Sequence, residues 1–271
     1  MEEVLRLLDT RDAVRVSELA EAFSVSKVTV RTDLSELARR GLVARVRGGV
    51  RALQRGQSEL GFELRLRLHT ERKRAIARAA AAMVGEGEAI ALDSSTTAYY
   101  LALELRAKRE LVVVTNGLLV AEALADAPGV TVLMPGGMLR LHAMSLVGDV
   151  GTQLLRATRM RTGFMGTRGL DLERGLMDLN PEEVRIKHEL ATACERVVAI
   201  CDGTKWHRTA LLPFVPAERV HAVVTDPSAP AEQVAAWRAA GIEVILAEPL
   251  EESAAPRSRT AAPAPRQVGT A

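Results

Sequence analysis

The chain reads as an α/β protein in two parts: a small helical unit ending in a β-wing, then a larger, mostly parallel αβα domain. Three observations predict this. Residues 1–50 carry helical stripes that end in an alternating apolar and basic run. From about residue 71 onward, short apolar strands alternate with helical stretches, and the segment in between shows neither pattern. With 271 residues, 48% of them hydrophobic, the chain is long enough to bury a substantial core.

Each element has a local reason. Val4, Leu5 and Leu8 give a first helix its apolar stripe, and Ser17 stands where it would cap a second, with Leu19, Ala20 and Phe23 on one face. Ser24-Val25-Ser26 is the turn. Ser26 caps a third helix whose Val30, Leu34, Leu37 and Ala38 make a single buried stripe, and Gly41 is its stop. LVARVRGGV then alternates apolar and basic residues up to Gly48-Gly49, as a wing does. These pieces bound a domain at 1–56. Residues 57–71 are assigned to a linker, having neither a clean period nor a long apolar face. In the second domain, 72–247, helices are expected near 71–84, 97–107, 117–126, 181–194 and 230–240. Strands are expected at 88–93, 110–115, 130–135, 196–201, 221–226 and 242–247, enough for a parallel sheet covered on both faces. Residues 248–271 are rich in Ala, Pro, Arg and Ser and are expected to be a disordered tail.

Composition narrows the function. Opposite charges nearly cancel to +2, so any nucleic-acid role must come from a local patch rather than a global field. Cys194 and Cys201 form no disulfide framework and no C-x-x-C metal spacing, which fits core positions in a reducing compartment. The start, MEEVLRLLDT, is acidic where a secretory signal is basic, and the apolar stretch near 76–84 is cut by Arg78. A cytoplasmic protein with no membrane partner is expected.

Between Leu37 and Ser58 stand six arginines, at 39, 40, 45, 47, 51 and 55, and no acidic residue. Charge alone fits a solvated basic loop as well as a phosphate-binding stripe. The architecture favours DNA, because two helices joined by a tight turn, the second with a polar outer face, form a helix-turn-helix. The segment VSELAEAFSVSKVTVRTDLSELARRGLVARVRGGV closely resembles the N-terminal signature of the DeoR-type bacterial repressors. Two positions depart from that pattern: Thr32 replaces the second arginine of R-R-D-L, and Arg47 replaces the wing histidine. The resemblance implies operator DNA as partner, with Thr29, Arg31 and Thr32 facing the groove. Ser26, Lys27, Ser35, Arg45 and Arg47 complete the candidate interface. Thr32 removes one possible bidentate guanine contact, so the operator sequence should differ from the family norm.

The stretch LDSSTTAYYLALEL places Asp93 and four hydroxyls, Ser94, Ser95, Thr96 and Thr97, between a strand end and a helix start. One hydroxyl suffices for an N-cap; four, next to unpaired helix amides, suit a phosphate. Thr115-Asn116-Gly117, Pro135-Gly136-Gly137, MGTRGLD at 165–171 and CDGTKW with Lys205 are further turns expected on the same rim. These segments resemble the marks of the DeoR sensor half, a fold similar to ribose-5-phosphate isomerase and glucosamine-6-phosphate deaminase. The resemblance implies a phosphorylated sugar as effector, with its phosphate in the 94–97 loop and its polar remainder near Asp93, Asn116 and Lys205. Gly117, Gly136 and Gly137 complete the candidate set. Ser95 stands where that loop often has glycine.

An enzyme is the alternative reading, an isomerase or deaminase with an appended DNA-binding domain. Asp171, Glu173, Glu182 and Glu183 are the nearest candidate bases. Asn180-Pro181-Glu182-Glu183, however, reads as a cap, a first-turn proline and a capping-box glutamate. The five histidines lack metal spacing, and no K-G-x-G-G-A segment is present. The expectation is therefore a repressor of sugar-metabolism genes, without cofactor or metal, working as a homodimer or homotetramer and released by its effector.

Overall fold

The computed structural model describes Val4 and residues 13–39, 43–52, 61–206 and 208–248. The remainder of the expected first helix, the Gly41 stop, the side chains of Arg39 and Arg51, Arg40 and Arg55 in full, and the tail beyond 248 lie outside them.

In the N-terminal part, strand β1 (Ala13–Arg15) leads directly into α1 (Val16–Ala22), and α2 (Lys27–Arg39) follows. The wing is β2 (Val43–Val46) and β3 (Gly49–Ala52), antiparallel and paired Val46 with Gly49. β1 pairs with β3, Val14 opposite Val50, and the three strands lie in the order β1-β3-β2. This pairing moves a cap. The sequence places Ser17 at the start of the second helix, but the strand runs into that helix, so Arg15 is its cap and Ser17 lies exposed in its first turn. Ser26 does cap α2, its Oγ accepting from the Thr29 N–H at 3.1 Å. Val30, Leu34 and Leu37 are buried with Val14, Leu19, Val43 and Val50 in one core. Gly48 turns the wing at φ 85°, a conformation open to glycine at little cost.

Residues 62–67, expected to lack structure, form the short helix α3 (Phe62–Arg67). Phe62 is buried edge-to-face against Tyr99, and the Tyr100 hydroxyl donates to the Leu66 carbonyl at 3.2 Å. Tertiary contact thus supplies what periodicity over six residues does not signal.

Then α4 (Thr70–Ala81) precedes β4 (Ala89–Leu92), α5 (Thr96–Leu105), β5 (Leu111–Thr115), α6 (Leu118–Leu124) and β6 (Val130–Leu133). A hairpin of β7 (Met138–Arg140) and β8 (Ser145–Val147) and helix α7 (Thr152–Ala157) lead to β9 (Met160–Met165). After β10 (Gly169–Asp171) and β11 (Gly175–Asp178) come α8 (Pro181–Thr192), β12 (Cys194–Ile200), β13 (Leu212–Val215), β14 (Ala222–Thr225), α9 (Ala231–Ala239) and β15 (Glu243–Leu246). Seven strands form one parallel sheet in the order β15-β14-β12-β9-β4-β5-β6, while β10-β11-β13 make a small antiparallel sheet beside it. Every strand and helix expected for the second domain is present, shifted by a few residues at its ends. Strand alternation splits the core in two. Ile90, Leu92 and Phe164 pack with α4, α5 and α6, whereas Ala91, Met165 and Val197 pack with α8 and α9. Both cysteines are buried, and among the described residues no helix is long and apolar enough to cross a membrane.

Hydrophobic patterning predicts no strand at 160–165, yet the strand there is at the centre of the sheet. Its apolar run is broken by Arg161, Thr162 and Gly163. Gly163 is required by packing: a Cβ there would lie 2.8 Å from Cys194 Sγ.

Candidate functional site

The strand order reverses between β4 and β9. From β4 the chain builds outward through β5 and β6; from β9 it builds the other way through β12, β14 and β15. At such a switch point the two loops leave for opposite faces of the sheet and open a crevice at the carboxyl ends of the strands. A cavity of about 80 Å³ lies there, lined by Ser94–Thr97 after β4, Gly166–Arg168 after β9, and Cys201, Asp202 and Lys205 after β12.

Ser95 caps α5, accepting the Ala98 N–H at 3.1 Å, so the amides that begin this helix sit at the cavity beside the Ser94, Thr96 and Thr97 side chains. Asp93 does not line the cavity. It is fully buried behind the loop, where Oδ1 accepts from the Ser95 N–H at 3.1 Å and Oδ2 from the Gly166 N–H at 2.9 Å. Gly166 must be glycine, since a Cβ would fall 2.3 Å from Ser95 Cβ. Only that absence lets the β4 and β9 loops meet.

Beneath them lies a buried ionic cluster that no motif announced. Lys187 of α8 donates to Asp178 Oδ2 at 2.6 Å and to the Gly166 carbonyl at 2.9 Å, and pairs with Asp93 Oδ2 at 3.0 Å. Burial alone would push the Asp178 carboxyl up, but Lys187 and Arg168 outweigh it and hold it at about 2. Burial alone would likewise depress the Lys187 amine, but Asp178 and Asp93 raise it instead. Asp178 and Lys187 are both charged at neutral pH.

Glu183 departs from the capping expectation. Asn180 does cap α8, accepting from the Glu182 and Glu183 N–H groups, and Pro181 is its first residue. The Glu183 carboxylate instead turns into the cavity, where Oε2 accepts from Ser94 Oγ at 3.2 Å and Oε1 from Arg140 at 2.7 Å and from Ser145 Oγ. Three donors from three segments outcompete one backbone amide.

Besides Asp93, four expected ligand residues are not brought to the cavity. Asn116 is fully buried, its Nδ2 donating to the Leu146 carbonyl at 3.2 Å. Gly117 backs the loop, where a Cβ would lie 2.9 Å from Ser94 Cα. Gly136 and Gly137, at φ 79° and 124°, turn the chain into β7, and a Cβ on Gly137 would meet the Val147 carbonyl oxygen at 2.3 Å. The reason is position: these residues follow β5 and β6, whereas the cavity is lined from the ends of β4, β9 and β12. In their place come Arg65, His69, Lys73 and Arg208, basic side chains from segments that carry no recognisable motif. Burial pushes His69 below its ordinary value; Asp202 opposes that, and Arg72, Lys205 and Lys73 reinforce it. The cavity thus pairs helix amides and hydroxyls with a majority of basic side chains, an arrangement suited to an oxyanion.

At the N-terminal part, Ser26, Lys27, Thr29, Arg31, Thr32 and Ser35 are exposed on α2, and Arg45 and Arg47 on the wing. Thr32 donates its hydroxyl back to the Val28 carbonyl at 3.1 Å. Ser35 donates to the Arg31 carbonyl at 2.6 Å and accepts from Arg45 Nη1 at 3.1 Å, tying helix to wing. Lys27, Thr29 and Arg31 lie on the outer face, with Val28 exposed among them.

Comparison with known proteins agrees with both halves. Residues 1–55 match the DeoR-like helix-turn-helix domain, and residues 68–227 match the DeoR C terminal sensor domain. The transcriptional regulator GolR of Listeria innocua is 33% identical over 91% of this chain and 97% of its own. The glycerol-3-phosphate regulon repressor of Escherichia coli K12 is 31% identical over 84% and 90%. Both are named as regulators of transcription, not as isomerases or deaminases. Ribose 5 phosphate isomerase A of Neisseria gonorrhoeae overlaps 49% of this chain and 52% of its own at a TM-score of 0.36 and 18% identity, too slight a likeness to carry an argument.

Proposed function

Because this chain belongs to the DeoR family of DNA-binding transcriptional regulators, we propose that it represses sugar-metabolism genes and leaves its operator when a phosphorylated sugar enters the cavity between β4 and β9. One observation carries the reading: the amino end of α5, with its hydroxyls, opens into a cavity whose other walls bring Arg65, Lys73, Arg168 and Lys205. A phosphate ester brings close to two negative charges and three acceptor oxygens, which such a site can satisfy together. One relative is named for the glycerol-3-phosphate regulon that it represses, a regulon named after a small phosphate ester, which supports the reading. The sugar's hydroxyls fall to Glu183, and Asp93 acts by holding the loop.

Effector and operator are linked if the ligand prefers one arrangement of the two domains. A symmetric dimer or tetramer is the form that reads a repeated site, and work on DNA places the protein in the cytoplasm. Two measurements on purified protein test this. A panel of phosphorylated sugars should contain at least one that raises the melting temperature and weakens a gel shift on the protein's own upstream DNA, with no product formed. A panel that moves neither observable removes the effector class. Separately, Arg31→Ala should remove sequence preference in the gel shift, at about 1–3 kcal/mol for a lost bidentate base contact, while leaving salt-sensitive non-specific binding. Undiminished preference would place the base contact elsewhere.

A further inference from the structure

The two buried amines of the cavity are held differently. Lys187 has two carboxylates beside it. Lys73, 5% exposed on the first turn of α4, donates to the backbone carbonyls of Arg65 and Leu68, and among the described residues no carboxylate lies within ion-pair distance of it. An ammonium has three donors, and Lys73 lines the cavity.

The charged groups around it come from three segments: Arg65 on α3, His69 between the helices, and Asp202 and Lys205 after β12. Asp202 is itself committed, its Oδ1 accepting from the Thr204 N–H at 3.0 Å and from the Thr204 hydroxyl. Burial lowers the Lys73 amine to about 7, Asp202 opposes this, and Lys205 and Arg65 add to it. A buried amine with no carboxylate in ion-pair contact among the described residues, lining the cavity into which a helix amino terminus opens, suits an anion.

What Lys73 holds is as informative as what it lacks. The Arg65 and Leu68 carbonyls form the corner between α3 and α4, where His69 adopts φ 53°. The Leu68 side chain is buried in the same apolar cluster as Val14, Leu19, Val30 and Leu34 of the DNA-binding part. One side chain therefore touches the cavity and pins the residue that seats the N-terminal core.

We propose that Lys73 contacts the effector's anionic group and is the switch of the molecule: the bound anion draws its ammonium off the Arg65 and Leu68 carbonyls and so frees the corner that carries Leu68. This rests on the reading of the cavity as an anionic effector site. Two consequences follow. Binding takes up a proton above neutral pH, because the amine is partly neutral in the empty site and charged in the filled one. Anion affinity then falls as pH rises through about 7 and above.

Sulfate is the probe, because its charge does not change over pH 6–9. Calorimetric titration of the full-length protein at pH 8, in two buffers of different ionisation enthalpy, should show uptake of close to one proton per site. Lys73→Arg, which keeps a charge that does not titrate, should bind sulfate without that uptake. Lys73→Met should bind sulfate at least tenfold more weakly, and without ligand its operator affinity should equal that of the sulfate-saturated wild type. Uptake retained in Lys73→Arg overturns the assignment alone, as does a Lys73→Met operator affinity equal to that of the empty wild type. Absence of any sulfate binding to the wild type overturns the effector reading as well. If Lys73→Met does not fold, proton uptake in the wild type against Lys73→Arg decides.

Discussion

Lys187→Met should lower the melting temperature by about 10 °C at pH 7, since removing one partner of a buried ion pair costs about 3–5 kcal/mol and each kcal/mol is worth about 2–4 °C in a chain of this size. The cost is electrostatic rather than volumetric, because Met nearly matches the lysine stem. It takes the shared ammonium from the buried Asp93 and Asp178 carboxylates and leaves Asp178 with Arg168 at 3.7 Å. The pH dependence identifies the cause. In the wild type Asp178 is held at about 2, below its unfolded value, so its stabilisation is complete above pH 4 and is lost as pH falls through 2. In the variant Asp178 has only Arg168 to set against its burial, its carboxyl rises from that value, and acid relieves it. The difference between the two proteins should therefore narrow between pH 7 and pH 4. An equal deficit at both pH values would mean that packing, not charge, is what Lys187 contributes. The cluster also bridges the β4 and β9 loops, so the variant should lose effector response even at temperatures where it remains folded.

Thr96→Asp should leave operator binding intact and abolish the response to a phosphorylated sugar, weakening its binding by about 100-fold or more, or roughly 3 kcal/mol. Thr96 is the first residue of α5, 5% exposed, and lines the cavity. A carboxylate at a helix amino terminus favours the fold, so loss of stability is not expected to confuse the result. What the carboxylate does is occupy the helix dipole and meet the incoming phosphate with like charge. Thr96→Ala is the graded comparison: losing one hydroxyl that donates to an anion costs about 1.5–3 kcal/mol at most. Operator release by Thr96→Asp at the wild-type effector concentration would put the phosphate somewhere other than α5.

The 94–97 loop could be read before any coordinates because its evidence is local. A strand, four hydroxyls and an apolar helix succeed one another within fourteen residues, and each is dictated by its neighbours. The same holds for the Ser26 cap, the α2 stripe and the Gly48-Gly49 wing. Where a residue's role depends on distant chain, local signals mislead. Glu183 sits where a capping box wants it, yet Ser94, Arg140 and Ser145 take its carboxylate. Asn116, Gly117, Gly136 and Gly137 sit at strand ends like those of a binding rim, yet follow β5 and β6, while the cavity is lined from β4, β9 and β12.

By itself, then, the sequence determined the two-part architecture, the polar outer face of α2 and the anion-suited turn, because hydrophobic period, capping and helix dipoles act over a few residues. The tertiary structure alone decided which strand ends share a crevice, that Lys187 is a buried ion-pair partner, and that Lys73 lines the cavity while holding the Leu68 corner. Those outcomes depend on strand order and on which side chains meet after the sheet closes, and desolvation, which sets the charge and cost of each buried group, exists only once that meeting has occurred.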